Sequence, residues 1–329
     1  MGELKIIEDK TMKLINPRVE QWHCGYTLPE IWSHIVKCAR VCYQSEPRSN
    51  GETDEEFAKR VILRNHSFEE IAESRELQLK LHLSVLEHGT VYLDIPNNIH
   101  TVGTLTIFKN NKYSKTWQYG NFRESRIAVT TNMRVIVENG LIDTLQYMCP
   151  PIQYHTFRTT FNIITDIGVA RELDRHRSHS ISEESSRFCN YSKDKFNNEL
   201  TFIKPNWLNV YISNVSIIDD DIYDNEVGAF DSSCSQPLYE QGDIGTKNFL
   251  LGLCNTEKAY FTLLGNNWTP QQARQVLPLS TKVQTIHTAF NDDWEEFIKL
   301  RADACSGSVH PNMRVIAESI KDLMSKANG

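Results

Sequence analysis

The sequence predicts an α+β fold in which a mixed or antiparallel sheet is packed by helices. Three observations predict it. Apolar residues recur at helical spacing, as in Ile31, Ile35, Cys38, Ala39 and Cys42. Across residues 101–135, Thr alternates with Val, Ile, Phe or Leu on either side of a polar turn, KNNKYSK, which is the period of antiparallel strands. Tyr154–Thr165 is again strand-like.

In chain order, the helix over Ile31–Tyr43 is followed by a turn, SEPRSNGETDEE. Ser67-Phe-Glu-Glu is a capping box: serine and glutamate each satisfy a free backbone N–H, opening a helix towards Lys80. His82–Glu87 leads into the strand TVYLDI. Met133–Met148 reads as a helix that Asn139-Gly140 can break. Thr165 is placed to cap a helix running to about Arg177. Residues 189–260 read as a long connection, helical only near Lys247–Leu264. Thr269-Pro270-Gln271-Gln272 starts a helix, with Thr as cap and Pro at the first position, and Pro278 ends it. An extended segment reaches about Thr288. Asn291 then caps a helix whose Trp294, Phe297, Ile298 and Arg301 share a face, and Asn312–Lys326 closes the chain as an amphipathic helix.

The expected organisation of the 329 residues is a single catalytic domain over 1–329, with an acidic, loop-rich excursion at about 192–246. A net charge of −7 argues against a dedicated nucleic-acid binder. The charge is uneven. Between Lys204 and Lys247 there are eight acidic residues and no Lys or Arg, which leaves the remainder near +1. A local cationic pocket for an anionic substrate is compatible with that distribution. Eight scattered cysteines without a Cys-x-x-Cys pair fit reduced cytosolic thiols rather than a disulfide framework or zinc site. No hydrophobic run approaches membrane-spanning length, and MGELKIIEDK lacks a signal-peptide core, so a cytoplasmic chain is expected. Asp219 and Asp221 resemble the start of a calcium loop, but Tyr223 and Asp224 stand where a third ligand and Gly are needed. No metal is expected.

The densest chemistry lies in Arg175–Arg187, RHRSHSISEESSR. Its first three side chains diverge around the backbone and cannot share one exposed face. Guanidinium groups fork onto phosphate or carboxylate, so an anionic ligand held from several directions explains the density. A structural explanation stands beside it. The Arg-His-Arg end suits the negative end of a helix dipole, and Glu172 offsets its charge at i,i+3 and i,i+4. The Ser- and Glu-rich continuation to Arg187 is left unexplained by that reading.

Arg-His-Arg, seven residues, Ser185, and Arg187 two further on resemble the signature of the flavin-dependent thymidylate synthases. ARVCY and HLSVLEHG resemble flavin-side segments of the family, and Arg274 and Arg301 stand at its spacing, 27 residues apart. The resemblance covers roughly residues 33–325 apart from the excursion. It implies the family's α+β fold, a homotetramer with shared active sites, and reductive methylation of dUMP to dTMP. Methylenetetrahydrofolate would donate the carbon, reduced FAD the hydride, and NADPH would reduce the flavin.

By resemblance, Arg187 and Arg274 take the nucleotide phosphate, Glu183, Ser185 and Ser186 the sugar and phosphate rim, and Arg301 the pyrimidine edge. Glu172 and Arg175 complete the substrate set. Catalysis is expected of Arg301, Arg175 and Ser185, the serine in a positioning role, since a nucleophile needs a neighbouring base and its surroundings are mostly arginines. The cofactor side would comprise His82, Ser84, Glu87, Arg175, His176, Arg177, Ser178 and Glu183. Three features depart from the family. Glu172 stands where many members have Gln, and would repel a phosphate unless paired with Arg171 or Arg175. Phe290, Asp292 and Glu296 replace the Asn, Arg and Asn that often hold the adenine end of FAD. The excursion is longer than in compact members. Two rival readings remain: a catalytically poorer relative that binds nucleotide or RNA, and a metal-dependent phosphoryl-transfer enzyme or nuclease.

Overall fold

The computed structural model describes residues 13–45, 51–121, 124–208, 228–229, 243–305 and 307–327. Its frame is a four-stranded antiparallel sheet in the order β2 (Arg18–Trp22), β6 (Arg158–Asp166), β10 (Lys282–Phe290), β7 (Ser180–Glu183). β6 and β10 pair from Asp166↔Lys282 to Arg158↔Phe290, and β7 joins through Glu183↔Thr285. This register sets the RHR continuation directly beside Lys282–Thr288.

The period of two gives the sheet unlike faces. On one, Phe161 and Ile163 meet α7 (Ile167–Leu173), α10 (Asn291–Arg301) and α11 (Pro311–Ala327) through Val169, Leu173, Trp294, Phe297 and Ile320. Each fully buried large side chain of this kind contributes roughly 1.5–3 kcal/mol. On the other, α1 (Leu28–Tyr43) packs Cys38 and Val41 on Ile286, while His34 Nε2 meets the Thr160 hydroxyl at 3.2 Å.

A second antiparallel sheet, β3 (Thr90–Pro96), β5 (Ser125–Asn132) and β4 (Lys115–Gly120), shares its core with α1 and with the short helices α2 (Asp54–Phe57), α3 (Phe68–Glu73) and α6 (Met133–Glu138). In the third sheet, β1 (Lys13–Ile15) runs parallel to β8 (Thr201–Ile203) and antiparallel to β9 (Gly228–Ala229). Leu14 and Phe202 pack there on Leu250, Leu253 and Tyr260 of α8 (Ile244–Gly265). No helix among the described residues is long and apolar enough to cross a membrane. The mixture of helices with largely antiparallel sheets is the predicted α+β class.

Several boundaries differ from the sequence reading. TDEE begins α2 behind a Thr53 capping box instead of continuing the turn, whose residues 46–50 lie outside the described residues. The helix from Ser67 stops at Glu73, and Ser74 caps α4 (Arg75–Lys80) afresh. Residues 102–110 form α5 (Val102–Asn110), not a strand, because Leu105 and Phe108 are buried one helical turn apart. Gly140, at φ +63°, does break the segment after α6. Asp166, not Thr165, caps α7, which ends at Leu173, so Arg175–Arg177 lie in the turn beyond it. Phe290, not Asn291, is the cap of α10, and the Asn291 side chain accepts from the Thr159 hydroxyl at 2.7 Å. α9 (Pro270–Ala273) has the expected capping box. Within the supposed loop-rich excursion, β8 precedes residue 209 and α8 starts at Ile244. The acidic middle, including Asp219–Asp224, lies outside the described residues apart from β9.

Candidate active site

The site is built around α7. Asp166 Oδ1 accepts from the Val169 N–H at 2.7 Å, and its Oδ2 from the Asn312 side-chain amide at 2.9 Å. One buried carboxylate thus fixes the end of β6, the start of α7 and the start of α11. Adjacent helical residues diverge by about 100°, so Arg171 and Glu172 line different cavities.

The first cavity, about 340 Å³, lies between α7, β7, β10 and the segment after α9. Its polar wall consists of Arg171, Glu183, Glu184, Ser186, Arg274 and Lys282, and Leu277–Leu279 supply apolar wall. Arg274 Nη1 donates to the Ser186 hydroxyl at 3.3 Å. Lys282 Nζ donates to Glu184 Oε2 at 2.7 Å, an oxygen that also accepts the Gln284 N–H at 3.2 Å. The Tyr191 hydroxyl donates to Glu184 Oε1 at 3.0 Å. Glu184 is therefore paired and neutralised. Glu183 is not. Burial first, then the nearby Asp174 and Glu184 charges, push its carboxyl up to about 7, with Arg171 opposing them. Its Oε2 is buried with no hydrogen-bond partner among the described residues. Such a cavity offers guanidinium groups to an anion and a free acceptor to a hydroxyl or N–H of the same ligand.

The second cavity, about 420 Å³, is lined by Glu172, Arg175, His176, Arg301 and residues 307–309. Arg301 Nη1 pairs with Glu172 at 3.0 Å and its Nε donates to His176 Nε2 at 3.3 Å. Burial, then the Arg301 charge, lowers the His176 pKa to about 4. The ring is neutral, and the bond from Arg301 assigns its proton to Nδ1. The expected partners of Glu172, Arg171 or Arg175, are replaced by Arg301, which arrives from the C-terminal end of α10. Arg301 is thus held in a pocket, continuing the Trp294/Phe297 face as its spacing implied.

The remaining expected residues are spread out. Arg187 is exposed, its guanidinium 5.4 Å from the Phe188 ring. The Ser185 N–H donates to the Cys42 carbonyl at 3.0 Å. Its hydroxyl bonds no general base among the described residues, and Ser186 rather than Ser185 lines the first cavity. Arg177 and Ser178 are exposed beyond α7, as is Arg175. His82 is exposed at 3.4 Å from Arg64, Ser84 is exposed, and Glu87 is bonded to Arg134 at 2.6 Å. Arg274 and Arg301 therefore line different cavities of one protomer, and Arg187 lines neither.

Sequence reasoning missed Arg171, Glu184, Tyr191 and Lys282. It also missed His88, whose Nδ1 meets the Thr288 hydroxyl at 2.8 Å and Nε2 the Ser182 hydroxyl at 2.9 Å, anchoring β7. Burial holds His88 neutral, well below its ordinary pKa. Glu184 and Lys282 stand 98 residues apart, so only strand register could have paired them.

Among the described residues, no group of three or more His, Cys, Asp or Glu side chains is placed to hold a metal ion. The Arg175–Ser178 turn fits an anionic cofactor such as FAD: Arg175 and Arg177 form no ion pair among the described residues, and His176 is a neutral ring beside them. At the positions that the resemblance assigns to the adenine end, Lys115 pairs with Asp292 and lies 4.5 Å from the Phe290 ring centre.

Residues 152–328, more than half of the chain, match the family model of the thymidylate synthase complementing protein, Thy1. No curated protein sequence matches. Two solved structures of the UMP/dUMP methylase PolB from Streptomyces cacaoi are similar. The one bound with 5-Br UMP is 15% identical, covering 96% of this chain and 92% of that one, at a TM-score of 0.40. The one bound with 5-Br dUMP is 16% identical, covering 96% and 93%, at 0.41.

Proposed function

The chain belongs to the thymidylate synthase complementing protein family, the flavin-dependent thymidylate synthases, and from that premise we propose that it converts dUMP to dTMP by reductive methylation. The observation that carries the proposal is the first cavity, where Arg171, Arg274 and Ser186 face the same space as the unpartnered Glu183 oxygen. The phosphate of dUMP takes the guanidinium groups and the Ser186 hydroxyl. A sugar hydroxyl donates to Glu183 Oε2, supplying the partner that the buried oxygen lacks.

Arg301 polarises the pyrimidine carbonyl, favouring charge that develops on the ring in the transition state, an effect of about 3 kcal/mol for one well-placed donor. Its bonds to Glu172 and His176 hold the guanidinium in one orientation beforehand. The complete site is shared between protomers of a homotetramer, as the family resemblance implies; that Arg301 and Arg274 line different cavities of one protomer supports this reading. Ser185 positions the turn to Arg187 and does not attack the base. Arg175, His176, Arg177 and Ser178 hold FAD, with His82, Ser84 and Glu87 on the cofactor and folate side. When bound and reduced by NADPH, FAD supplies the hydride that completes the methyl group carried in from methylenetetrahydrofolate. No disulfide joins the described cysteines, which supports a cytoplasmic setting.

Calorimetric binding of dUMP, with Arg274→Ala beside wild type, tests the reading. Saturable dUMP binding that Arg274→Ala weakens, together with flavin absorbance retained after desalting, supports it. Absence of dUMP binding refutes it. Binding of dUMP without retention of flavin would favour a nucleotide-binding relative of the same fold.

A further inference from the structure

Beside the proposed nucleotide cavity lies another of about 450 Å³ that the reaction does not use. Four cationic side chains from four separate segments line it: Lys13 of β1, Arg18 of β2, Lys195, and Lys282 of β10. Glu199 is the one carboxylate among the described residues that line it. Neither Lys13 nor Arg18 forms an ion pair among the described residues. Lys195 Nζ donates to the Gln44 carbonyl at 2.8 Å, and Lys282 is matched by Glu184. Glu199 is pushed above its ordinary pKa by burial, with Lys13 pulling it back. Among the described residues that line this concave space, cationic side chains thus outnumber carboxylates.

The surroundings are built rather than incidental. Tyr191 and Phe196 meet edge to face at 5.0 Å in the wall. Asn197, at φ +51°, lines the cavity, and Asn198 follows at +54°. Two successive left-handed residues cost about 1 kcal/mol or more each unless the surroundings hold them. Tyr191, Thr281 and Lys282 form a wall common to both cavities, whereas Arg274, Ser186 and Glu183 line only the first.

We propose that this cavity binds an oligophosphate group, the chain of two or three phosphates carried by free polyphosphate or by a nucleoside polyphosphate. Four cations from separate segments exceed the charge of one phosphate group, whereas a chain of two or three phosphates carries charge enough for all of them. Forked and point-charge donors arriving from several directions suit non-bridging oxygens. The site stands on its own residues and does not depend on dUMP being the substrate.

The test titrates tripolyphosphate calorimetrically into the full chain as wild type, Arg18→Ala, Lys13→Ala/Arg18→Ala and Arg274→Ala. Saturable binding to wild type is expected, weakened about threefold by Arg18→Ala and roughly tenfold or more by the double variant. Arg274→Ala leaves it unchanged. Arg18 is exposed, so its single replacement keeps the test decisive should the double variant fold poorly. Tighter binding of ATP or dTTP than of tripolyphosphate would identify a nucleoside polyphosphate as the source, and equal binding free polyphosphate. No saturable binding to wild type, equal affinity in the Arg18 variants, or loss only in Arg274→Ala would overturn the proposal. Affinity for dUMP, measured separately, tells failure of this site from failure of the nucleotide reading.

Discussion

Replacing Lys282 by Met leaves Glu184 as a carboxylate without its cation in the wall between two cavities. The Glu184 side chain is 1% exposed and that of Lys282 18%, so water cannot substitute for the lost ammonium. Removing one partner of a buried pair costs about 3–5 kcal/mol. Glu184 keeps two donors, the Tyr191 hydroxyl and the Gln284 N–H, and the Lys282 end is partly solvated. The expected loss is therefore at the lower end, about 3 kcal/mol. Glu184→Gln/Lys282→Met removes both charges and should recover most of it, leaving a deficit of about 1 kcal/mol and a strongly non-additive double-mutant cycle. Urea unfolding at pH 8, followed by fluorescence for all four proteins, measures each quantity. A Lys282→Met loss below about 1 kcal/mol, or an additive cycle, would show that the pair does not hold β7 to β10 as described.

Other consequences follow from the same geometry. Glu183, raised to about 7 in the folded chain from an ordinary value of 4.5, binds its proton more tightly when folded; its stabilising contribution is full below about 4.5 and is lost as pH rises through 7. Glu183→Gln should then be more stable than wild type by about 3 kcal/mol at pH 8 and equal to it near pH 4.5, whereas parallel urea midpoints across that range would contradict the assignment. Arg301→Gln removes a cation from beside His176, so the His176 pKa, about 4 in wild type, should rise by about one unit in an NMR titration. Asp166→Ala loses the cap of α7 and the bond to Asn312, an expected cost of about 2–3 kcal/mol in chemical unfolding. An unchanged midpoint would mean that the helix bearing Arg171 and Glu172 is fixed by packing alone.

The parts of this architecture that were legible in the sequence are those encoded locally. The capping boxes at Ser67 and Thr269, the Gly140 break and the amphipathic stripe of α11 all act within a few residues. α5 was misread because VGTLTIF satisfies an alternating pattern, and only the burial of Leu105 and Phe108 reveals a helical face. The cap of α7 was misplaced by one residue because Thr165 and Asp166 can each serve, and only the bond from the Val169 N–H to Asp166 Oδ1 distinguishes them. The cationic run stood out by its density, and so did Arg301 at the end of an apolar stripe. What could not be read was pairing at a distance: Glu172 with Arg301, Glu184 with Lys282, Arg274 with Ser186, each fixed by sheet register or helix packing. The division of the expected site between two cavities of one protomer likewise has no local signature.

The most direct test of the central claim is formation of dTMP from dUMP by the purified full chain, supplied with FAD, NADPH and methylenetetrahydrofolate, in wild type and Arg301→Ala. The account predicts turnover that requires flavin and falls by about two orders of magnitude or more in Arg301→Ala. Wild-type protein that binds both ligands yet forms no dTMP with any reductant, or an Arg301→Ala variant as active as wild type, would contradict it.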